Sequence, residues 1–183
     1  MTELDDNAAV RRVLDGDVDA FALIVERYQR PIRRFVTNMS PRTQAADDIA
    51  QDVFLAAYRS LRRFDARRGK LTTWLFAIAR NRMINHVQAE ARRPPPPELL
   101  LDRGTWTDPA AGLEHQEAMA ALDAALSQLP GGQRAVFVLA EIEQLPLAEV
   151  AAIEGVPVGT VKSRLSRAKE ALRAALAKMG VEP

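Results

Sequence analysis

Apolar positions along the chain recur at spacings of three and four, and no stretch alternates in twos with the β-branched character of strands, so the whole pattern reads as helical. A short helix is predicted from near Asn7 to Gly16. A second follows a cap at Asp17 or Asp19 and carries FALIVERYQRPIRRFVTNM, with a kink expected at Pro31. Pro41 and Thr43 open a third over residues 45–61. The fourth, residues 71–93, leaves the loop FDARRGK with Thr72 or Thr73 as its cap. Residues 114–129, 133–145 and 146–155 form three more, and a long last helix is predicted from Val158 to Lys178. Between the two sets lie Pro94, Pro95, Pro96 and Pro97, which cannot continue a helix, then turn signals at Gly104 and Pro109. The expectation is an all-α chain: a domain over residues 1–93, a flexible linker over 94–112 and a second domain over 113–183.

Wound at about 100° per residue, the third helix collects Ile49, Ala50, Val53, Phe54, Ala56 and Ala57 on one side. Asp47, Asp48, Gln51, Asp52 and Arg59 gather opposite, with Leu55 in the middle of that polar arc. An apolar anchor in a polar surround suits protein docking. Two other readings stand beside it: an acidic first turn favoured by the helix dipole, or a divalent-metal site from Asp48 and Asp52. The fourth helix is apolar almost all round and must be largely buried. Its polar residues form two narrow stripes, Asn81, Asn85 and Gln88 with Trp74, and Arg82 with His86. Phe76 is expected in the core. Amides beside an aromatic suit unpaired bases, which stack on rings and hydrogen-bond at their edges; Trp74 could equally be a core residue.

The sharpest pattern is PLAEVAAIEGVPVGTVKSRLSRAKEAL. A short helix, a turn at Gly155, Val156 and Pro157, and a longer helix have the layout of a helix-turn-helix, with small Ala151 at the crossing. Val158, Val161, Leu165, Ala168 and Leu172 share the inward side of the second helix. Gly159, Lys162, Ser163, Ser166 and Arg167 share the other, a small, hydroxylic and basic face fit for a major groove. Arg164 sits at the edge, suited to a phosphate or a core carboxylate.

Charge sharpens this reading. The net charge of +1 conceals an asymmetry, because residues 1–93 carry seventeen Lys and Arg against twelve Asp and Glu, whereas residues 94–120 carry one against five. Arg59, Arg62, Arg63, Arg67, Arg68 and Lys70 face only Asp65, and Lys162, Arg164, Arg167, Lys169 and Arg173 face only Glu170. Two basic clusters are either solvated helix faces or two contacts with a polyanion. Cysteine is absent, and histidine is confined to His86 and His115. Thiolate metal sites and thiol catalysis are therefore excluded, a histidine metal site or triad is not expected, and with no glycine-rich phosphate loop neither is an enzyme. No cofactor, resident metal or catalytic residue is expected. The N-terminus lacks the features of a signal peptide, and no run approaches the length of a membrane span, which points to a cytoplasmic protein with no membrane insertion of its own.

These residues carry a resemblance. ADDIAQDVFLAAYRSLRRFDARRGKLTTWLFAIARNRMINHVQ resembles region 2 of the extracytoplasmic-function (ECF, group 4) sigma factors of bacterial RNA polymerase, and ALDAALSQLPGGQRAVFVLAEIEQLPLAEVAAIEGVPVGTVKSRLSRAKEAL resembles their region 4. The match runs from residue 8 to 178 apart from the linker, with both blocks in the expected order. It implies a transcription-initiation factor that binds core polymerase and promoter DNA. By that resemblance Asp48, Gln51, Asp52 and Leu55 dock on the β′ clamp helices, and region 4 meets the β flap. The loop from Ser60 to Lys70, with Arg62, Arg63, Phe64 and Asp65, captures a flipped base of the −10 element, while Thr73, Trp74, Arg80, Asn81 and Asn85 read and melt it. Gly159, Thr160, Lys162, Ser163, Ser166 and Arg167 read the −35 element as duplex. An anti-sigma protein is among the partners the family implies. The competing reading is a stand-alone helix-turn-helix regulator, which accounts for the second domain and leaves the Leu55 face unexplained.

Overall fold

The computed structural model describes residues 5–40, 45–92 and 113–180. The linker predicted over 94–112 and the third-helix cap at Pro41 or Thr43 lie outside the described residues. Every regular element among those described is helical.

Helix α1 (Asp6–Leu14) is short and amphipathic, and Asp6 pins it to the next helix through Arg27 and the Tyr28 hydroxyl, 2.5 Å away. Asp17, held by Arg12 at 2.6–2.8 Å, accepts the Ala20 N–H and so opens α2 (Ala20–Met39). Asp19, the alternative cap, makes no such bond. Pro31 is accommodated inside α2 without ending it. Helix α3 (Ala46–Ser60) runs into a 3₁₀ turn, Leu61–Arg63, and α4 (Leu71–Ala91) returns across α2 and α3. Ile32, Phe35, Val36, Val53, Ala57, Leu75, Phe76 and Ala79 fill the space between them. Phe35 and Phe76 meet edge to face with centroids 5.5 Å apart, the geometry that ring quadrupoles favour.

The cap expected at Thr72 or Thr73 is a correction. Both residues lie inside the first turn of α4, and their hydroxyls face other elements: Thr72 meets Tyr28 at 2.9 Å and Thr73 donates to Glu149 at 2.9 Å.

The second half contains α5 (Leu113–Gln128), α6 (Gly131–Phe137), α7 (Leu147–Glu154) and α8 (Val158–Lys178). Helix α6 starts at Gly131, not at the predicted Gln133, because Pro130 supplies the first carbonyl to the Gln133 and Arg134 amides. It widens into a π turn over Val138–Ile142, closed by the Glu143 amide on the Val138 carbonyl at 2.9 Å. Gly155 ends α7 at φ +66°, a left-handed conformation that costs glycine little, and the Val156 amide closes the turn on the Ala151 carbonyl. Val161, Ala168 and Leu172 are buried along α8 and Leu165 half-buried, as predicted. Val158 is instead 38% exposed, since as the first residue of the helix it projects beyond the crossing with α7.

The two halves pack directly on each other. Helix α7 lies on α4, and one apolar cluster runs from Leu75 and Phe76 through Val150, Ala151 and Ile153. Arg134 of α6 donates to the Met39 carbonyl at the end of α2 and to the Ser127 and Leu129 carbonyls of its own half.

Candidate nucleic-acid interface

The third helix separates its faces as its pattern requires. Ile49, Ala50, Val53, Phe54 and Ala57 are buried, and Asp47, Asp48, Gln51, Asp52 and Arg59 are exposed. Leu55 is 45% exposed in the midst of that polar surface, and Tyr58, 41% exposed, stands one turn on with its ring edge-on to Phe21. An open groove lined by Val18, Phe21, Val25, Phe54, Leu55 and Tyr58 runs between α2 and α3. Asp47 pairs with Arg33 across its rim at 2.5 Å. No group of three or more acidic, histidine or cysteine side chains is placed to hold a metal among the described residues, so the Asp48 and Asp52 metal reading gains no support.

The basic loop leaves the 3₁₀ turn with Arg62 and Arg63 exposed. Asp65 folds back on Arg67, accepting its backbone amide at 3.0 Å and its guanidinium at 3.1 Å. That guanidinium holds the Asp65 carboxyl below the usual carboxylate range, so the loop keeps its one negative charge, tied up internally. Phe64 and Trp74 are half-buried and pack ring on ring, centroids 5.5 Å apart, which joins the loop to the start of α4. Trp74 is therefore partly a core residue that leaves part of its ring accessible. Phe76 is wholly core. Asn81 and Asn85 are exposed along α4.

Three residues of this candidate set are engaged by the other half of the chain. Lys70 and Thr73 share the Glu149 carboxylate at 2.7 and 2.9 Å, and Arg80 donates to Glu154 at 3.2 Å. Glu154 is almost fully buried and also accepts from Arg164 at 3.4 Å, so the core-carboxylate reading of Arg164 holds. Nearby, Arg34 forms a two-pronged pair with Glu143 at 2.7–2.8 Å, which raises the Arg34 pKa.

On α8, Gly159, Lys162, Ser163, Ser166 and Arg167 are exposed together, and Thr160 is half-buried behind them. The Ser163 hydroxyl donates to the Thr160 carbonyl at 3.0 Å. Nothing lies within 4 Å of the Gly159 α-carbon's open side, so backbone could approach backbone there. The result is an exposed basic and hydroxyl-bearing face on a helix that follows a tight turn, a layout compatible with a major groove.

Two family models match the chain, Sigma-70 region 2 over residues 24–93 and Sigma-70 region 4 over residues 119–172. The RNA polymerase sigma-H factor of Pseudomonas aeruginosa is 35% identical over 96% of both chains. The chain is a sigma factor of the sigma-70 family, of the ECF type. The ECF sigma factor SigW of Bacillus subtilis is 36% identical over 90% of this sigma factor and 92% of its own length, and the sigma-E factor of Escherichia coli K12 is 34% identical over 93% of each. Among solved structures, CnrH in complex with the cytosolic domain of CnrY superposes with a TM-score of 0.73 at 26% identity, covering 94% of this sigma factor and 97% of that chain. Sigma factors of this family direct transcription initiation by RNA polymerase and bind the polymerase core and promoter DNA; they are not enzymes. The stand-alone regulator reading is overturned, because the match includes region 2 as well as the helix-turn-helix.

Sequence reasoning missed Glu149 and Glu154 as partners of Lys70 and Arg164 in the basic clusters, and Glu143 as the partner of Arg34 on α2. A signal existed for one of them: Glu154 is the only charged residue in the last turn of LAEVAAIE, where a buried arginine partner is needed.

Proposed function

We propose that this sigma factor docks on the β′ clamp helices of core polymerase through Asp48, Gln51, Asp52 and Leu55, with region 4 on the β flap. The observation that carries this is Leu55, held in the open on the polar face of a helix whose other face is fully buried. An exposed leucine ringed by carboxylates and an amide is an anchor that needs a partner with an apolar pocket and basic surroundings. Arg62, Arg63, Phe64, Asp65 and Lys70 form the loop that takes a base flipped from the −10 element, and Thr73, Trp74, Arg80, Asn81 and Asn85 hold the separated strand. Stacking on the accessible part of Trp74 and amide hydrogen bonds from Asn81 and Asn85 support that role. Gly159, Thr160, Lys162, Ser163, Ser166 and Arg167 read the −35 duplex.

In this reading, residues 1–93 and 113–183 are the functional domains and 94–112 their linker. The protein works in the cytoplasm, where the polymerase is, and is held in check by an anti-sigma protein, a reading supported by the likeness to CnrH, which was solved with CnrY. Run-off transcription with core polymerase on fragments of the source genome tests the function: discrete transcripts that require this protein are expected, and none above core alone would overturn it.

A further inference from the structure

Val158 is the first residue of α8 and 38% exposed, and it stands outside the apolar clusters that take Val161, Leu165, Ala168 and Leu172. Among the exposed residues of the span 158–167 its side chain is the apolar one. Lys162, Ser163, Ser166 and Arg167 all carry hydrogen-bonding groups, and Gly159 has no side chain. Lys162 follows four residues on, about 40° around the helix, so the two are neighbours on one edge of the exposed face. The helix start is fixed there, with the Thr160 and Val161 amides closing on the Pro157 carbonyl at 2.9 and 3.2 Å. Branching at Cβ leaves valine one strongly preferred rotamer in a helix, so its two methyl groups are held in place before any ligand arrives. The adjoining Gly159 is open, since a β-carbon there would meet nothing within 4 Å.

The first residues of a recognition helix are the ones that reach base edges in the major groove. Most marks on those edges are hydrogen-bond donors and acceptors, which Lys162, Ser163, Ser166 and Arg167 can read. One mark is apolar: the 5-methyl group that distinguishes thymine. Valine has nothing to offer a polar edge and would only strip it of water. We propose that Val158 is a specificity-determining residue, packing its methyl groups against a thymine 5-methyl of the −35 duplex. The proposal rests on the reading of α8 as the −35 helix. It requires a thymine in that element, beside the base pair that Lys162 faces.

The test uses holoenzyme assembled from core polymerase and the full chain. The probe is a fluorescent duplex of a promoter found by run-off transcription, with each thymine of the −35 element replaced in turn by deoxyuridine, which lacks only the 5-methyl group. Wild-type holoenzyme should bind about four-fold more weakly when one particular thymine is replaced, the equivalent of one buried methyl group. Val158→Ala should lose a similar factor on the thymine duplex and should no longer distinguish thymine from deoxyuridine at that position. A variant that merely disturbed the helix would weaken binding to both duplexes alike and keep the distinction. An element without thymine, a wild-type protein indifferent to every replacement, or an undiminished penalty in Val158→Ala each overturns the proposal. Lys162→Ala and Arg167→Ala on the same duplex separate two kinds of failure. If they weaken binding, the methyl contact alone has failed; if neither does, α8 does not read this DNA and both readings fall.

Discussion

Leu55 shows how much one side chain decides. Phe54 before it and Ala57 two residues on are buried, and it is exposed because 100° per residue turns it to the opposite face. Burial of a comparable leucine contributes about 1.5–3 kcal/mol, so leaving it in water is uneconomical for a lone domain. Leu55→Ala combined with Asp52→Ala should weaken core-polymerase binding by about 2 kcal/mol or more. Helical circular dichroism should be unchanged; a pull-down on core polymerase at graded concentrations checks the loss. Tyr28 makes the opposite kind of statement. Burial first, and then its bond to the Asp6 carboxylate, push the Tyr28 hydroxyl up to about 12 from an ordinary value near 10. Because the folded value lies above the unfolded one, the stability that this group contributes is complete below about pH 10 and is lost as pH rises toward 12. Tyr28→Phe should flatten that part of the alkaline stability profile, measured by urea unfolding between pH 9 and about 12.

At the scale of elements, the helix-turn-helix depends on a single backbone conformation. Gly155→Ala puts a β-carbon on a residue at φ +66° and should cost about 1 kcal/mol in stability, seen as a lower urea midpoint with an unchanged slope. The two basic elements should separate functionally as well. Lys162→Ala or Arg167→Ala on α8 should lose roughly 1–3 kcal/mol of duplex −35 recognition if the side chain makes a good base contact. Changes in the 62–70 loop, or of Trp74 or Asn81, should impair strand opening. Transcription from a promoter with a pre-melted −10 bubble should rescue the loop variants in part and the Arg167 variant not at all. Most of these elements were legible from local pattern: α2 and α3 each have a clear amphipathic period, and the buried stripe of α3 and the turn at Gly155 follow from local spacing alone. The π turn was not, since a one-residue widening leaves VFVLAEI with no distinctive composition. The roles of Thr72 and Thr73 were also hidden: a hydroxyl near a helix start looks like a cap in sequence, and only Tyr28 and Glu149, 44 and 76 residues away, turn these two to other partners.

The packing of one half on the other was the least legible feature of the molecule. Four consecutive prolines argue for separate domains, and an ion pair between residues 109 apart, such as Arg34 with Glu143, has no periodic trace. Glu154 is where this packing is most exposed to challenge. Its side chain is 2% exposed and serves Arg80 of one half and Arg164 of the other, so its loss strands two partly buried guanidinium groups. Glu154→Gln should lower the unfolding free energy by about 3 kcal/mol, the small end of the range for breaking a buried pair because both arginines retain some contact with water. Thermal unfolding followed by circular dichroism would show it.

The shared apolar cluster of α4 and α7 also has a calorimetric signature. Parting the helices wets Val150, Ile153 and the α4 side chains against them, and hydrating apolar surface raises heat capacity. Assembly with polymerase buries other apolar surface and lowers it. An assembly that parts the two helices should therefore show a heat-capacity change less negative than the area of the polymerase interface alone requires, and one that keeps them together should match that area. Titrations over a range of temperatures would tell the two apart by the slope of the binding enthalpy.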